Sequence, residues 1–288
     1  MPDQPHIKIC EVGPRDGLQN EANFVSAANK VRLIDLLSAT GLGYIEAASF
    51  VSPDRVPQMA DGADVLARIK RRDGVVYAAL TPNLRGYREA LRAGADEVAV
   101  FASASETFSA KNINCSIAVS LIRYREICDR AKTDGIPVRG YVSCVVACPY
   151  EGPIAPEAVR WVASALLRMG CREISLGDTI GVATPNDITV LLGAVLDEIP
   201  AEWIAGHFHD TGGRALDCIR ASLDRGVAVF DASVGGAGGC PFAPGAKGNV
   251  ATDRVVAMLE AEGFATGIDT RALRDAGDFM MQILGRQP

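Results

Sequence analysis

The chain has 288 residues, 48% of them hydrophobic and 22% charged, with a formal net charge of −6. That length admits two domains or one closed α/β barrel of about 250 residues, and the hydrophobic share can supply a sizeable core. The acidic balance, with no basic block beyond "KRR" at 70–72, argues against a nucleic-acid partner, and no apolar run reaches the roughly 18 residues that cross a membrane.

The N-terminal "MPDQPHIKIC" has neither the basic and apolar regions of a signal peptide nor the Arg-rich character of a transit peptide, and "GRQP" is not a peroxisomal address. The cytoplasm is the expected compartment. The first apolar run is "IKICEV" (7–12). Others follow at "YIEAASF" (44–50), "VVYAAL" (75–80), "EVAVF" (97–101), "PVRGYVSCVV" (137–146), "REISLG" (172–177), "WIAGHFH" (203–209) and "VAVFDASV" (227–234). Each is bounded by turn residues and reads as a strand.

Between these runs lie segments with helical spacing, among them "NKVRLIDLLSAT", "LRGYREALRAG", "SIAVSLIRYREICDRAKTDG", "PEAVRWVASALLRMG" and "ALDCIRASLDRG", mostly closed by a glycine near the C-cap. "TPNL" at 81 and "TPND" at 184 place Thr at an N-cap and Pro at N1. Beyond residue 250, "ATDRVVAMLEAEG" and "TRALRDAGDFMMQIL" read as a closing helix and an additional one. Eight strands alternating with helices predict a parallel (β/α)8 TIM barrel. The alternative is an open doubly wound sheet, for which no GxGxxG follows the first strand. The expected organisation is one domain over 1–288, with the barrel at about 7–262 and a helical extension at about 268–284.

In such a barrel the segments that follow the strands gather at one face, where active sites lie. Here they are "GPRDG", "SFVSP", "SLGDT", "HFHDT" and "SVGGAGGC", so the chemically unusual residues share one rim. The eight cysteines are scattered and carry no secretory signal, which predicts reduced thiols serving mostly as small buried hydrophobes. Cys144 and Cys148 do not have zinc CxxC spacing. Cys240 stands apart, inside the glycine-rich segment 233–249, which either is a flexible linker or carries functional groups over a site.

His207 and His209 lie two apart on an expected strand, so both imidazoles face one side. Paired histidines satisfied by backbone hydrogen bonds are the plain alternative to a ligand pair. Asp16 follows the first strand, which neighbours the seventh and eighth once a barrel closes. With Asn249 as a neutral oxygen ligand, the set suits Mn²⁺, Mg²⁺, Fe²⁺ or Zn²⁺. Arg15 then either forms a salt bridge to Asp16 or Glu46 that fixes its loop, or stabilises a developing oxyanion beside the metal; the two roles can coexist.

With these motifs assembled, the chain resembles the HMG-CoA lyase family of metal-dependent TIM-barrel lyases and synthases. The resemblance rests on "EVGPRDGLQNE", "SFVSPDRVPQM", "KNINCSIAVS", "VRGYVSCVVACPYEG", "EISLGDTIGVATP", "HDT" and "GGCPFAPGAKGNVAT", in order from about residue 7 to 283. It implies cleavage of 3-hydroxy-3-methylglutaryl-CoA to acetyl-CoA and acetoacetate, with Mg²⁺ or Mn²⁺ held by Asp16, His207, His209 and Asn249. It further implies acid/base work by Cys240, with His207 and Asp16 involved, and an active-site carboxylate at Glu46. Arg15 would face the enolate, Asp178 would support a ligand histidine, and the assembly would be a homodimer. Ser49, Tyr141 and Ser175 are candidates for the pocket wall.

Departures from the family pattern are Ala22 where a lysine is usual, Gly212 where an aromatic is usual, and Gly235, Ala237, Phe242 and Lys247 in the glycine-rich segment. None of them is itself an implied ligand, and they bear on which 3-hydroxyacyl-CoA fits. The alternatives are a lyase for citramalyl-CoA or 3-hydroxy-3-isohexenylglutaryl-CoA, a Claisen-type synthase, and a non-catalytic barrel binding metal or CoA.

Overall fold

The computed structural model describes residues 5–238 and 248–286. Eight parallel strands close into a barrel: Lys8–Glu11, Tyr44–Ser49, Val76–Leu80, Glu97–Ser103, Val138–Ser143, Glu173–Asp178, Ile204–Phe208 and Val229–Ala232. The first strand completes the ring by pairing with the eighth through Lys8↔Val229 and Glu11↔Ala232, and with the second through Glu11↔Ile45. Helices between the strands bury their apolar faces against the outside of the ring, and the helix Thr270–Ile283 packs on Ala27–Ser38. This is a TIM barrel.

Local signals explain most boundaries. Thr184 caps the helix Pro185–Leu196 as expected, its hydroxyl accepting from Asp187 N while the Asp187 carboxylate accepts from Thr184 N. At "TPNL" the cap is instead Asn83, whose Oδ1 accepts from Gly86 N at 3.0 Å. Thr81 is fully buried and extends the strand ladder, donating its N–H to Ala99 O at 2.8 Å, so the chain is still extended there. The fifth strand stops at Ser143, not 146, because Cys144 takes a left-handed φ of 61° and donates its N–H to the Thr179 hydroxyl. A small hairpin, Ala147–Cys148 with Gly152–Pro153, follows.

The two faces of the strands differ in chemistry. Ile9, Val138, Ile174, Leu176, Phe208 and Phe230 join the main core between strands and helices. The alternate residues point into the barrel, and on four neighbouring strands these are Arg139, Tyr141, Glu173, Ser175, His207 and Asp231. The register brings them level, Tyr141 opposite Ser175 and Asp231 opposite His207. The upper barrel interior is therefore a polar network directly beneath the rim.

Candidate metal centre and active-site cleft

After the first strand the backbone makes a single π-type turn, Gly13–Gly17, closed by Gly17 N donating to Val12 O at 3.1 Å. The turn lies close against its neighbours: a Cβ at Gly17 would sit 2.7 Å from Ser233 Oγ, so only glycine admits this approach. It presents Arg15 and Asp16 to the barrel mouth. Arg15 is 5% exposed and is gripped from two sides, by Asp16 Oδ1 at 2.5 Å and by Glu46 Oε2, which accepts from Nε at 2.6 Å. Both ion pairs weighed for Arg15 are thus formed, and its cation is pinned.

His207 belongs to the seventh strand, whereas His209 lies just past the strand's end at Phe208 and forms an isolated bridge with Asn249. The two imidazoles nevertheless converge, with ring centroids 5.4 Å apart. Ligand atoms of Asp16, His207 and His209 all lie within 4.8 Å of one another, the one metal-capable group among the described residues. His209 Nδ1 is buried without a hydrogen-bond partner. An orphaned imidazole nitrogen in a carboxylate–imidazole group is what a divalent cation would satisfy, so the donor set fits a metal. Asn249 donates its amide to Asp16 Oδ2 at 2.8 Å, leaving its Oδ1 as the atom that could join a cation.

Burial would raise the Asp16 carboxyl, but the Arg15 guanidinium and the two imidazoles outweigh it and hold the group at about 2. Burial, reinforced by His207, pushes His209 down to about 4. Both shifts favour the forms that bind metal, an ionised carboxylate and a neutral imidazole. His207 is raised instead: burial opposes its charge, yet the hydrogen bond and charge of Asp231 prevail. Glu46 is raised by burial against the pull of Arg15, and its Oε1 has no partner.

Asp231 was not among the expected site residues, and it is the group that orients His207. Its Oδ2 lies 3.0 Å from His207 Nδ1 and accepts from Ser175 Oγ at 2.7 Å and Arg139 at 3.1 Å, while Oδ1 accepts from Arg139 at 2.7 Å. Arg139, fully buried, also donates to Glu173 and to the Tyr141 hydroxyl, which in turn donates to Glu46. A proton held on Nδ1 by Asp231 leaves Nε2 free to face Asp16, 3.9 Å away. Asp178, the expected supporter of a ligand histidine, does not play that part. It alternates with inward-facing Gly177, so its carboxylate turns outward and accepts from Ala183 N at 2.9 Å.

The centre opens into a cleft of about 490 Å³ lined near the metal group by Arg15, Tyr141 and Thr179 and farther out by Leu80, Phe101 and Phe108. Arg15, Asp16, Glu46, His207, His209 and Asn249 therefore come together as one constellation. Cys240, with Phe242 and Lys247, lies outside the described residues. Ser175 contacts Asp231 and sits in the network below the cleft, while Ser49 Oγ is buried with no partner. Gly212 is not among the described residues that line the cleft, and a Cβ there would sit 2.9 Å from Gly181 O.

The HMGL-like family model matches residues 6–280. The chain belongs to the HMGL-like family. Members of this family depend on a metal ion, and the chain is a lyase. A Pseudomonas aeruginosa protein named 3-hydroxy-3-isohexenylglutaryl-CoA/hydroxy-methylglutaryl-CoA lyase is 55% identical over 280 residues, covering 97% of this chain and 93% of its own. A zebrafish (Danio rerio) protein named 3-hydroxy-3-methylglutaryl-CoA lyase, cytoplasmic, is 55% identical over 288 residues, covering 100% of this chain and 86% of its own. The crystal structure of the HMG-CoA lyase from Brucella melitensis superposes with a TM-score of 0.97 at 56% identity, covering 98% of this chain and 99% of that one. Among the described residues no helix is long and apolar enough to cross a membrane.

Proposed function

We propose that this lyase cleaves 3-hydroxy-3-methylglutaryl-CoA to acetyl-CoA and acetoacetate with Mg²⁺ or Mn²⁺ at Asp16, His207, His209 and Asn249. The observation that carries the reading is the convergence of a carboxylate held ionised, an imidazole held neutral and a pinned arginine at the floor of one cleft. A bound divalent cation would supply Lewis acidity, making the tertiary hydroxyl of the substrate easier to deprotonate. The remaining work falls to the chain's own residues.

Loss of the hydroxyl proton lets the carbonyl of acetoacetate form as the C–C bond breaks, and the bond's electron pair passes to the enolate of acetyl-CoA. Arg15 faces the cleft with its charge fixed by Asp16 and Glu46, so it can stabilise the enolate oxygen without reorganising. A part for His207 and Asp16 in moving the hydroxyl proton is assigned, like that of Cys240, on the resemblance to the family. Cys240 is assigned the return of a proton to the enolate carbon, on the resemblance of its segment to the family. Glu46 acts through Arg15, and Tyr141 through Glu46.

A second substrate, the isohexenyl-substituted analogue, is favoured by the name of the Pseudomonas aeruginosa relative and by the apolar outer wall of Leu80, Phe101 and Phe108. A homodimer acting in the cytoplasm completes the proposal; the compartment is supported by the zebrafish relative's name and the dimer by the family resemblance alone. The test is acetyl-CoA release from chelator-stripped protein with each 3-hydroxyacyl-CoA, including citramalyl-CoA, with and without Mn²⁺ or Mg²⁺. Cleavage of HMG-CoA only after metal is restored is the expected result. Turnover without metal, or of none of these thioesters, would overturn the assignment.

A further inference from the structure

The first strand ends in a carboxylate on its helix-facing side, where its neighbour Ile9 joins the apolar core. Glu11 is fully buried there. A carboxylate in such a place is costly unless it is well bonded, and Glu11 is bonded to three separate segments. Its Oε1 accepts the backbone N–H of Gly13 at 2.8 Å and of Val234 at 2.9 Å, and its Oε2 accepts the Thr252 hydroxyl at 2.7 Å.

Those three partners are supports of the metal group. Gly13 opens the turn that carries Arg15 and Asp16. Val234 follows the eighth strand, and Thr252 begins a helix shortly after Asn249. Ser233 N donates to Val250 O at 3.0 Å, tying the last two segments together; the Asn249 amide reaches Asp16 Oδ2 and Ala237 O directly, and Glu11 joins both segments to the start of the Asp16 turn from the helix side. Gly13 is matched to this role, since a Cβ there would meet Glu11 Oε1 at 2.6 Å.

We propose that Glu11 is a positioning residue that sets the spacing of Asp16 and Asn249 by bridging their backbone supports, and so sets affinity for the divalent cation. The inference rests on the metal-dependent reading above. What matters in it is the reach of the side chain and not its charge. A neutral Gln can accept both amides with Oε1 and donate to the Thr252 hydroxyl, whereas Asp keeps the charge but falls short by one methylene. Burial pushing Glu11 up to about 7, against its three hydrogen bonds, agrees with a group that does its work without a full charge.

The experiment is titration of chelator-stripped, full-length parent, Glu11→Gln, Glu11→Asp and Thr252→Val with Mn²⁺ followed by EPR, with kcat and KM for HMG-CoA on the same preparations. Glu11→Asp should weaken Mn²⁺ binding about tenfold or more and lower kcat with little change in KM, as loss of a supporting contact around a metal does. Glu11→Gln should stay within about threefold of the parent on both counts. Thr252→Val, which removes one bond in three, should weaken Mn²⁺ binding measurably, and it decides the matter if Glu11→Asp does not fold. Equal Mn²⁺ affinity in the parent, Glu11→Asp and Thr252→Val, or a Gln variant as weak as Asp, would overturn the proposal. A parent that binds no Mn²⁺ would instead overturn the metal reading itself.

Discussion

Replacing Asp231 by Asn tests whether the network beneath the cleft orients His207. The carboxylate accepts four hydrogen bonds, three of them at Oδ2 from His207, Ser175 and Arg139 and one at Oδ1 from Arg139. An Asn oxygen placed at Oδ2 sets its NH2 against an Arg139 nitrogen 2.7 Å away, donor to donor. The flipped amide sets NH2 against His207 Nδ1, which then must give up its proton to Nε2, the nitrogen facing Asp16. Either orientation also leaves the fully buried Arg139 with Glu173 as its remaining anionic partner. Breaking a buried pair in this way costs about 3–5 kcal/mol, which for a chain of this size lowers Tm by on the order of 10 °C. Supporting contacts of this kind also contribute about 10–100-fold to metal affinity. Calorimetry on metal-free Asp231→Asn, with Mn²⁺ titration beside it, reads both. A variant that melts with the parent and binds Mn²⁺ equally would refute the argument that Asp231 holds the imidazole.

Glu11 carries a distinct stability signature. Its folded pKa of about 7 lies above the ordinary carboxyl value of 4.5 because burial disfavours the ion, so between those values the folded chain binds more protons than the unfolded one. Its contribution is therefore full below about pH 4.5 and is lost as pH rises through 7, a swing of about 3 kcal/mol that Glu11→Gln should abolish in denaturation series at pH 5 and 8; an identical pH slope in the two proteins would contradict this. Tyr141→Phe removes one bond to Glu46 and one from Arg139, and should cost about 1–2 kcal/mol while lowering kcat more than it raises KM as Arg15 loosens. Steady-state kinetics showing an unchanged kcat would detach Tyr141 from the Arg15–Glu46 pair. Gly212→Ala drives a methyl toward Gly181 O and should destabilise by about 1–3 kcal/mol with no change in the ratio of activities on HMG-CoA and the isohexenyl analogue; a shifted ratio would return residue 212 to the cleft wall.

The barrel was legible because its eight strands are mostly apolar runs between turn residues, a pattern that burial on both faces favours. The rim was legible for a related reason: "GPRDG" and "HFHDT" place ionisable groups where apolar runs end, and a closed barrel sends all such ends to one face. The order of the strands in the ring then made neighbours of Asp16, His207 and Asn249 before any contact was known. Where expectation and structure part, the cause is alternation along a strand. Asp178 and Gly177 are adjacent in sequence, and the one-residue difference puts Asp178 on the helix side, where its carboxylate accepts from Ala183 N rather than from a histidine.

The same alternation held the signal for the missing residue. Arg139, Glu173 and Asp231 each interrupt an otherwise apolar strand, and a lone charge inside a barrel is untenable unless an opposite charge stands level with it. One cation and two anions at inward positions therefore had to find one another. Only the register, which brings Asp231 level with His207 and Tyr141 level with Ser175, says that their meeting point lies directly under the metal-capable group. The network that neutralises the buried Arg139 is then the same one that fixes the tautomer of His207, and stability and function are coupled through a single carboxylate.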